Sequence, residues 1–350
     1  MNLTSQNTIS TDLVGMESRV KELLDLLNEG SSSVRFVGIC GMGGMGKTTL
    51  AQEIYKRIYC NFEATRFISI VKETKNQDLV SFQKQLLSMV LKESEINIWN
   101  VSEGIIFLKS KLRNKKVLIV LDDVVVIEQL EALAGKDWFG LGSRIIVTTR
   151  NKHLLKCHEV GCVYTTMGLS RDEALELFSR KAFKKSRPDE NFMDLSMDFV
   201  SYAQGLPLAL KVLGSSLFGR GDNAWRSARD KLKEEPDRDI QNILKISYDG
   251  LEDRERELFL DIACLFKGEK KDCIRDILES FGYYPDCNID ILIDKSLITI
   301  DEEGSLWMHD LLQKMGQEIV RSQSPGEPGG RSRLWMYEDI LHLLKKNTVR

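Results

Sequence analysis

An α/β fold with a parallel, doubly wound sheet is predicted, followed by a small helical bundle and a second helical unit that contains a hairpin. Three observations predict it. From Val34 to Met167, short β-branched runs alternate with longer stretches of helical periodicity, the pattern of parallel strands covered by helices on both faces. A glycine-rich octet, Gly41–Thr48, stands between the first such run and the first helical stretch. Past Leu169 the strands stop and helical spacing continues, interrupted by one short hairpin near the carboxyl end.

Length and composition set bounds. At 350 residues the chain exceeds one ordinary domain, so two or three are expected. With 42% hydrophobic residues it can build real cores, and six prolines favour helices. A net charge of -3 argues against general affinity for nucleic acid or anionic membrane. No apolar run approaches the roughly 18 residues of a membrane span. The start, MNLTSQNTIS, has neither the basic end nor the apolar core of a signal peptide. Seven cysteines, an odd number without framework spacing, read as reduced cytosolic thiols. Asn2-Leu3-Thr4 is then a chance glycosylation match. His153, Cys157, His158 and Cys162 lie close together but lack paired CxxC or HxxxH spacing, so zinc is not expected.

Residues 1–11 are polar and expected to be disordered. The strands are predicted over Val34–Cys40, Arg66–Val71, Val117–Leu121, Arg144–Thr148 and Val160–Thr165. Between them helical spacing covers Lys47–Ile58, Leu79–Leu91, Gly104–Arg113 and Ile127–Ala134. Ser170 and Glu173 form a capping box that opens Arg171–Phe183. Phe192–Ala203 and Pro207–Leu217 follow, separated by Gly205 and Pro207, and the polar stretch Lys231–Arg238 ends this unit. The next unit has helices near Ile240–Tyr248, Asp253–Phe266, Lys271–Phe281 and Asn288–Asp294. Strands Ser296–Asp301 and Ser305–Met308 flank the turn signal Glu303-Gly304, and helix Asp310–Ser322 follows. Helices plus a hairpin of this size suggest a winged helix. A Pro/Gly-rich loop, Ser324–Arg333, leads to a last helix, Leu334–Lys346. The expected domains are 12–168, 169–238 and 239–322, with 323–350 a linker and terminal helix.

Gly41-Met42-Gly43-Gly44-Met45-Gly46-Lys47-Thr48 fits GxxxxGK[ST] in the strand–loop–helix context that motif requires. Gly41, Gly43, Gly44 and Gly46 let backbone N–H groups turn inward around a phosphate. The helix N-terminus adds partial positive charge. Lys47 is suited to the β/γ-phosphates, Thr48 to Mg²⁺, and Thr49 to the α-phosphate. A second strand ends in Asp122-Asp123. Asp122 is assigned to the Mg²⁺ shell through water, and Asp123 to orienting an attacking water. The alternative is that one of them caps the next helix. A third strand ends in Thr148-Thr149-Arg150. Arg150 either senses a terminal phosphate from the ligand crevice or is an ordinary surface arginine. The fold class is thus an α/β P-loop NTPase with a parallel doubly wound sheet, followed by a helical bundle subdomain and a winged-helix subdomain.

These residues carry a resemblance. GMGGMGKTT, LIVLDD, GSRIIVTTR, Gly205-Leu206-Pro207-Leu208 and Met308-His309-Asp310 stand in the order of the NB-ARC module. The chain resembles plant nucleotide-binding leucine-rich-repeat immune receptors, within the STAND class of signalling ATPases. Phe259–Gly268, FLDIACLFKG, is similar to receptors with an N-terminal TIR domain. Val125 departs from the family, where coiled-coil receptors usually have Trp and TIR receptors commonly Asp. The resemblance implies that Val14 and Gly15 hold adenine and ribose, and that Pro207 packs on the base. It implies that His309 contacts the β-phosphate of ADP and that, with Asp310, it locks a closed state. The winged helix would act as a lever, and no basic stripe marks Ile240–Asp310 as a DNA reader. No TIR or coiled-coil segment precedes residue 12 and no LxxLxL repeat follows residue 346. The expectation is therefore a core switch without output or sensor modules, and without the TIR domain's NAD cleavage.

The expected function is an ADP/ATP-binding switch in plant defence signalling, closed with ADP and open with ATP. Partners would be the nucleotide with Mg²⁺, further copies of the chain in the ATP state, and immune-signalling proteins, in the cytoplasm and also the nucleus. Enzymatic activity would be at most slow ATP hydrolysis. Two rivals are a turnover P-loop ATPase or kinase, and a DNA-binding regulator.

Overall fold

The computed structural model describes residues 13–28, 30–70, 76–91 and 96–346. The polar start 1–11, the Asn2-Leu3-Thr4 match and Val71 lie outside them. The chain forms two units. Of the described residues, one holds Gly168–Ile240 with residues 13–21; the other holds those within Glu22–Met167 and 241–346.

Helix α1 (Met16–Leu27) buries Val20, Leu23 and Leu27 along one face. β1 (Arg35–Cys40) then leads through the glycine-rich loop into α2 (Lys47–Ile58). β2 is Ala64–Ser69, earlier than the β-branched run suggests. α3 (Asn76–Leu91) and α4 (Val101–Leu112) lead to β3 (Val117–Val124). Pairing with β3 explains the shift of β2, because the register opens with Ala64 opposite Val117. α5 (Ile127–Leu133), β4 (Arg144–Thr149), α6 (Lys152–Cys157) and β5 (Cys162–Thr165) complete this part. All five strands are parallel in the order β2-β3-β4-β1-β5. Both faces are covered, so Leu118, Ile119, Val120 and Leu121 are all fully buried and no alternation survives.

Two buried polar side chains fasten this layer. Gln83 on α3 donates to Val101 O and Ala132 O, both at 3.0 Å, linking α3 to the start of α4 and to α5. Arg144, fully buried at the head of β4, donates to the carbonyls of Ser33 (2.7 Å), Ser31 (2.9 Å) and Asn28. A charged residue at the head of an apolar strand is here a clamp on the loop between α1 and β1. Its hydrogen bonds offset the cost of burying the charge.

The other unit is helical. α7 (Arg171–Ala182) opens with the predicted box: the Ser170 amide donates to Glu173 Oε2 at 2.8 Å and the Glu173 amide to Ser170 Oγ at 3.4 Å. α8 (Met193–Ala203) and α9 (Pro207–Leu217) follow, with Pro207 at the first helical position, where its missing N–H costs nothing. α10 (Asp222–Glu234) is an additional helix with a single buried residue, Trp225. That indole sits among Phe192, Phe183, Phe199 and Phe178, at ring-centre separations of 4.9, 5.1, 5.7 and 5.8 Å. The same unit takes in the chain's first described residues: Arg19 donates to Gly168 O at 3.0 Å and pairs with Glu173 at 3.4 Å.

α11 (Arg238–Asp249) leads back into the larger unit, followed by α12 (Asp253–Asp261). A π turn, Ile262–Phe266, takes the place of a continued α-helix. α13 (Lys271–Ser280), α14 (Pro285–Asp294), the hairpin strands β6 (Thr299–Ile300) and β7 (Leu306–Trp307), and α15 (Asp310–Arg321) follow. The hairpin strands are shorter than their β-branched runs. Glu269 O and Gly304 O are engaged by Leu306 N (2.9 Å) and Lys271 N (3.0 Å), so the chain after the π turn runs along the hairpin. α16 (Tyr337–Lys346) closes the described chain. Ahead of it, Arg333 is buried against Asp261 and Glu257, the latter at 2.7 Å, and fixes the Pro/Gly-rich loop to α12.

Candidate phosphate site

The loop Gly41–Gly46 lies at the carboxyl end of β1, and β4 and β3 end beside it. Gly46 caps α2 with φ 86°, a left-handed conformation costly for other residues. At Gly41 a Cβ would stand 2.1 Å from Thr166 Oγ1, so only glycine fits. Lys47, 7% exposed, folds over the loop and donates to Gly41 O at 2.7 Å and Met42 O at 3.0 Å. Burial, reinforced by the neighbouring Arg150 charge, lowers its ammonium to about 8. Thr49 stands on the first turn of α2, half-buried.

Asp122 and Asp123 sit within β3, not beyond it. Thr48 Oγ1 donates to Asp122 at 2.9 Å, and Thr148 Oγ1 donates to the same carboxylate at 2.7 Å. Burial raises the Asp122 pKa, partly offset by these two hydroxyls. Asp123 adopts φ 59° while its amide donates to Thr148 Oγ1 at 2.8 Å. The ladder slips between Leu121 and Val124 and resumes opposite Thr149. This bulge turns the two adjacent carboxylates to different tasks. Neither caps α5: the Val125 and Val126 amides are taken by Gln129 Oε1 at 2.8 and 3.2 Å. Thr148, which holds both aspartates, is a site residue that the motif reading passed over; its signal was the Thr148-Thr149-Arg150 triplet itself.

Arg150 is not a free surface arginine. Its Nε lies 3.7 Å from Asp123 Oδ1, and one terminal nitrogen donates to Ile243 O (3.1 Å) and Ser247 Oγ (3.2 Å) on α11. Between these elements a cavity of about 300 Å³ is lined by Asp123, Val125, Thr149, Arg150, Ile246 and Lys295, among others. Val125 contributes to its wall.

The remaining predicted residues fall in two places. His309 caps α15: its Nδ1 accepts the Leu311 amide at 3.2 Å. In the neutral ring this leaves the proton on Nε2, as a donor. Asp310 at the first helical position is ion-paired with Lys267. Val14, Gly15 and Pro207 belong to the helical unit. There Gly15 lies against the Glu173 carboxylate, and the Leu169 amide donates to Gly205 O at 2.8 Å, two residues before Pro207. His153 and Cys157 touch across one turn of α6, Nε2 to Sγ 3.2 Å, while the buried His158 ring lies 5.4 Å from Phe36. Among the described residues no group of three or more His, Cys, Asp or Glu is placed to hold a metal ion directly. No helix of the described residues is long and apolar enough to cross a membrane.

The Thr48 hydroxyl and the Asp122 carboxylate, 2.9 Å apart beside the loop, fit a water-clad Mg²⁺. The inward-turned loop and buried ammonium fit a phosphate chain.

Comparison with known proteins agrees with this arrangement. The NB-ARC domain family matches residues 16–188, and the winged-helix domain of Roq1-like disease resistance proteins matches residues 252–324. Disease resistance protein RPV1 of Vitis rotundifolia is 46% identical over 93% of this chain, and TMV resistance protein N of Nicotiana glutinosa 44% identical over 96%. The chain spans 24% and 30% of the lengths of those two relatives. A Walker-type ATPase of Pyrococcus abyssi shares the fold at a TM-score of 0.60 and 15% identity, over 88% of this chain and 97% of its own. Motif order, parallel sheet and phosphate loop thus converge with these matches: the chain carries an NB-ARC domain, followed by a winged-helix domain of the Roq1-like type.

Proposed function

We propose that the chain is a nucleotide-dependent switch in plant immunity, holding ADP in a closed state and ATP in an open one. The observation that carries this reading is Arg150. It stands at the carboxyl end of β4, where a terminal phosphate would be sensed, and its guanidinium is bonded to Ile243 O and Ser247 Oγ on α11. A residue placed to read phosphate is thereby tied to the helix that leads into the winged-helix region.

In this reading Lys47 leaves the Gly41 and Met42 carbonyls for the phosphates, and the loop amides orient the chain of oxygens. Thr48 and Asp122 would hold Mg²⁺, which would neutralise part of the phosphate charge. Asp123 orients water, and His309 Nε2 donates to the β-phosphate. Val14, Gly15 and Pro207 serve the adenosine moiety. A useful switch needs differential binding: moving from 1:99 to 99:1 takes about 5.5 kcal/mol. Homology to resistance proteins supports the immune setting. Self-association in the ATP state and contacts with immune-signalling proteins are parts of this proposal.

The test is nucleotide content. The chain, purified without added nucleotide and denatured, should release near-stoichiometric ADP, and Lys47→Arg should release little. Hydrolysis should be slower than about one per minute, against about 1–100 per second for turnover kinases. An empty chain that turns ATP over rapidly would establish an enzyme instead.

A further inference from the structure

We propose that Lys267 is the positioning residue through which Asp310 holds His309 in place. This rests on the switch reading of His309, but its geometry stands by itself. Lys267, 13% exposed on its side chain, is ion-paired with Asp310, which is 40% exposed. The same Nζ donates to Gln313 Oε1 at 2.9 Å and lies 5.6 Å from the centre of the Trp307 ring. One cation thus engages the first turn of α15 at two positions three residues apart.

Lys267 can do this because both of its flanks are fixed. On its amino side is the π turn, Ile262–Phe266. A π turn displaces carbonyls from the regular ladder, and Ala263 O accepts from Gln313 Nε2 (3.1 Å) and Gln317 Nε2 (3.4 Å) of α15. On its carboxyl side the Gly268 amide donates to Leu306 O at 2.8 Å, on the hairpin. Gly316 meets Ala263 so closely that a Cβ would stand 2.6 Å from the alanine methyl. The ammonium is therefore a rigid post. At a helix N-terminus Asp310 also gains the modest dipole interaction, and the Lys314 charge acts on it from the same helix. Paired to the post, Asp310 fixes the helix start and with it the His309 ring, whose Nδ1 accepts the Leu311 amide within that turn.

The experiment uses two readouts on the whole chain. The first is the side-chain NMR signal of His309, which needs no nucleotide. Lys267→Met should shift it as Asp310→Val does, while Lys267→Arg leaves it near its original position. Gln313→Leu, which keeps both charges, should shift it less. The second is release of a fluorescent ADP analogue. Lys267→Met should speed release about 5- to 150-fold, the span of ordinary coupling energies, and the Lys267→Met/Asp310→Val double variant should be no faster than Asp310→Val alone. An unmoved His309 signal in Lys267→Met, or effects that multiply in the double variant, would overturn the proposal. A chain that retains no ADP but whose His309 signal moves as stated would overturn the switch reading and leave the positioning role standing.

Discussion

Lys47 carries the sharpest consequence at the scale of one residue. Its ammonium is buried on two loop carbonyls and its pKa is lowered to about 8. A phosphate in contact would stabilise the charged form and raise that value. Between the free and bound values each binding event takes up a proton, so affinity must fall as pH rises through that window. The expected profile for ADP is flat up to pH about 8 and then falls by up to about tenfold per pH unit. The nucleotide's own phosphate ionises near pH 6, below the window. Calorimetric titration from pH 7 to 10 checks this. Lys47→Arg, whose guanidinium does not titrate there, should show weak binding without the slope. The motif made Lys47 legible in the sequence, but its resting contact with its own loop was not, because burial depends on how the loop folds. Arg144 teaches the same lesson: an arginine heading a strand looks exposed, until three distant carbonyls are found to converge on it.

Elements were legible where apolar spacing was long and illegible where a single residue did the packing. β1 and α2 appear as the pattern predicts, and the strand order could not be read because parallel strands look alike. α10 was passed over because it offers few apolar residues: it is strongly charged and buries only Trp225. Yet that indole holds four phenylalanines from α7, from α8 and from the chain on either side of the loop joining them. Trp225→Ala should therefore cost about 3–5 kcal/mol, seen as a lowered denaturation midpoint in the helical unit. An exposed control, Asn223→Ala on the same helix, should change stability by less than about 0.5 kcal/mol. β3 shows the converse. The apolar run ends at Leu121, but the strand continues through both aspartates because Thr148 supplies the missing partners. Charged residues hid the continuation of the strand, and that continuation is what sets Asp122 and Asp123 apart.

For the molecule as a whole, motif order pointed to the NB-ARC domain, while the association of the first described residues with the helical unit was invisible. Residues 13–21 join the helical unit through Arg19 and Gly15, across some 150 residues of sequence separation. The contact that carries the proposed switch, Arg150 with α11, was equally hidden, since Ile243 contributes only a backbone carbonyl. On the proposed reading this contact makes the two nucleotides differ. The Nη1 that holds Ile243 and Ser247 is, on this reading, the one a terminal phosphate draws toward itself. ATP must therefore weaken the hold on α11, and ADP need not. Removing one competitor should favour ATP. Ser247→Ala deletes a hydrogen bond worth about 0.5–1.5 kcal/mol, so ATP affinity should rise about two- to tenfold relative to ADP. Arg150→Gln should bring the two affinities together by removing the sensor itself. Parallel titrations of both nucleotides against the three proteins decide the matter. If Ser247→Ala leaves the ATP-to-ADP ratio unchanged while Arg150→Gln alters it, the arginine reads phosphate but α11 does not hear it through this bond.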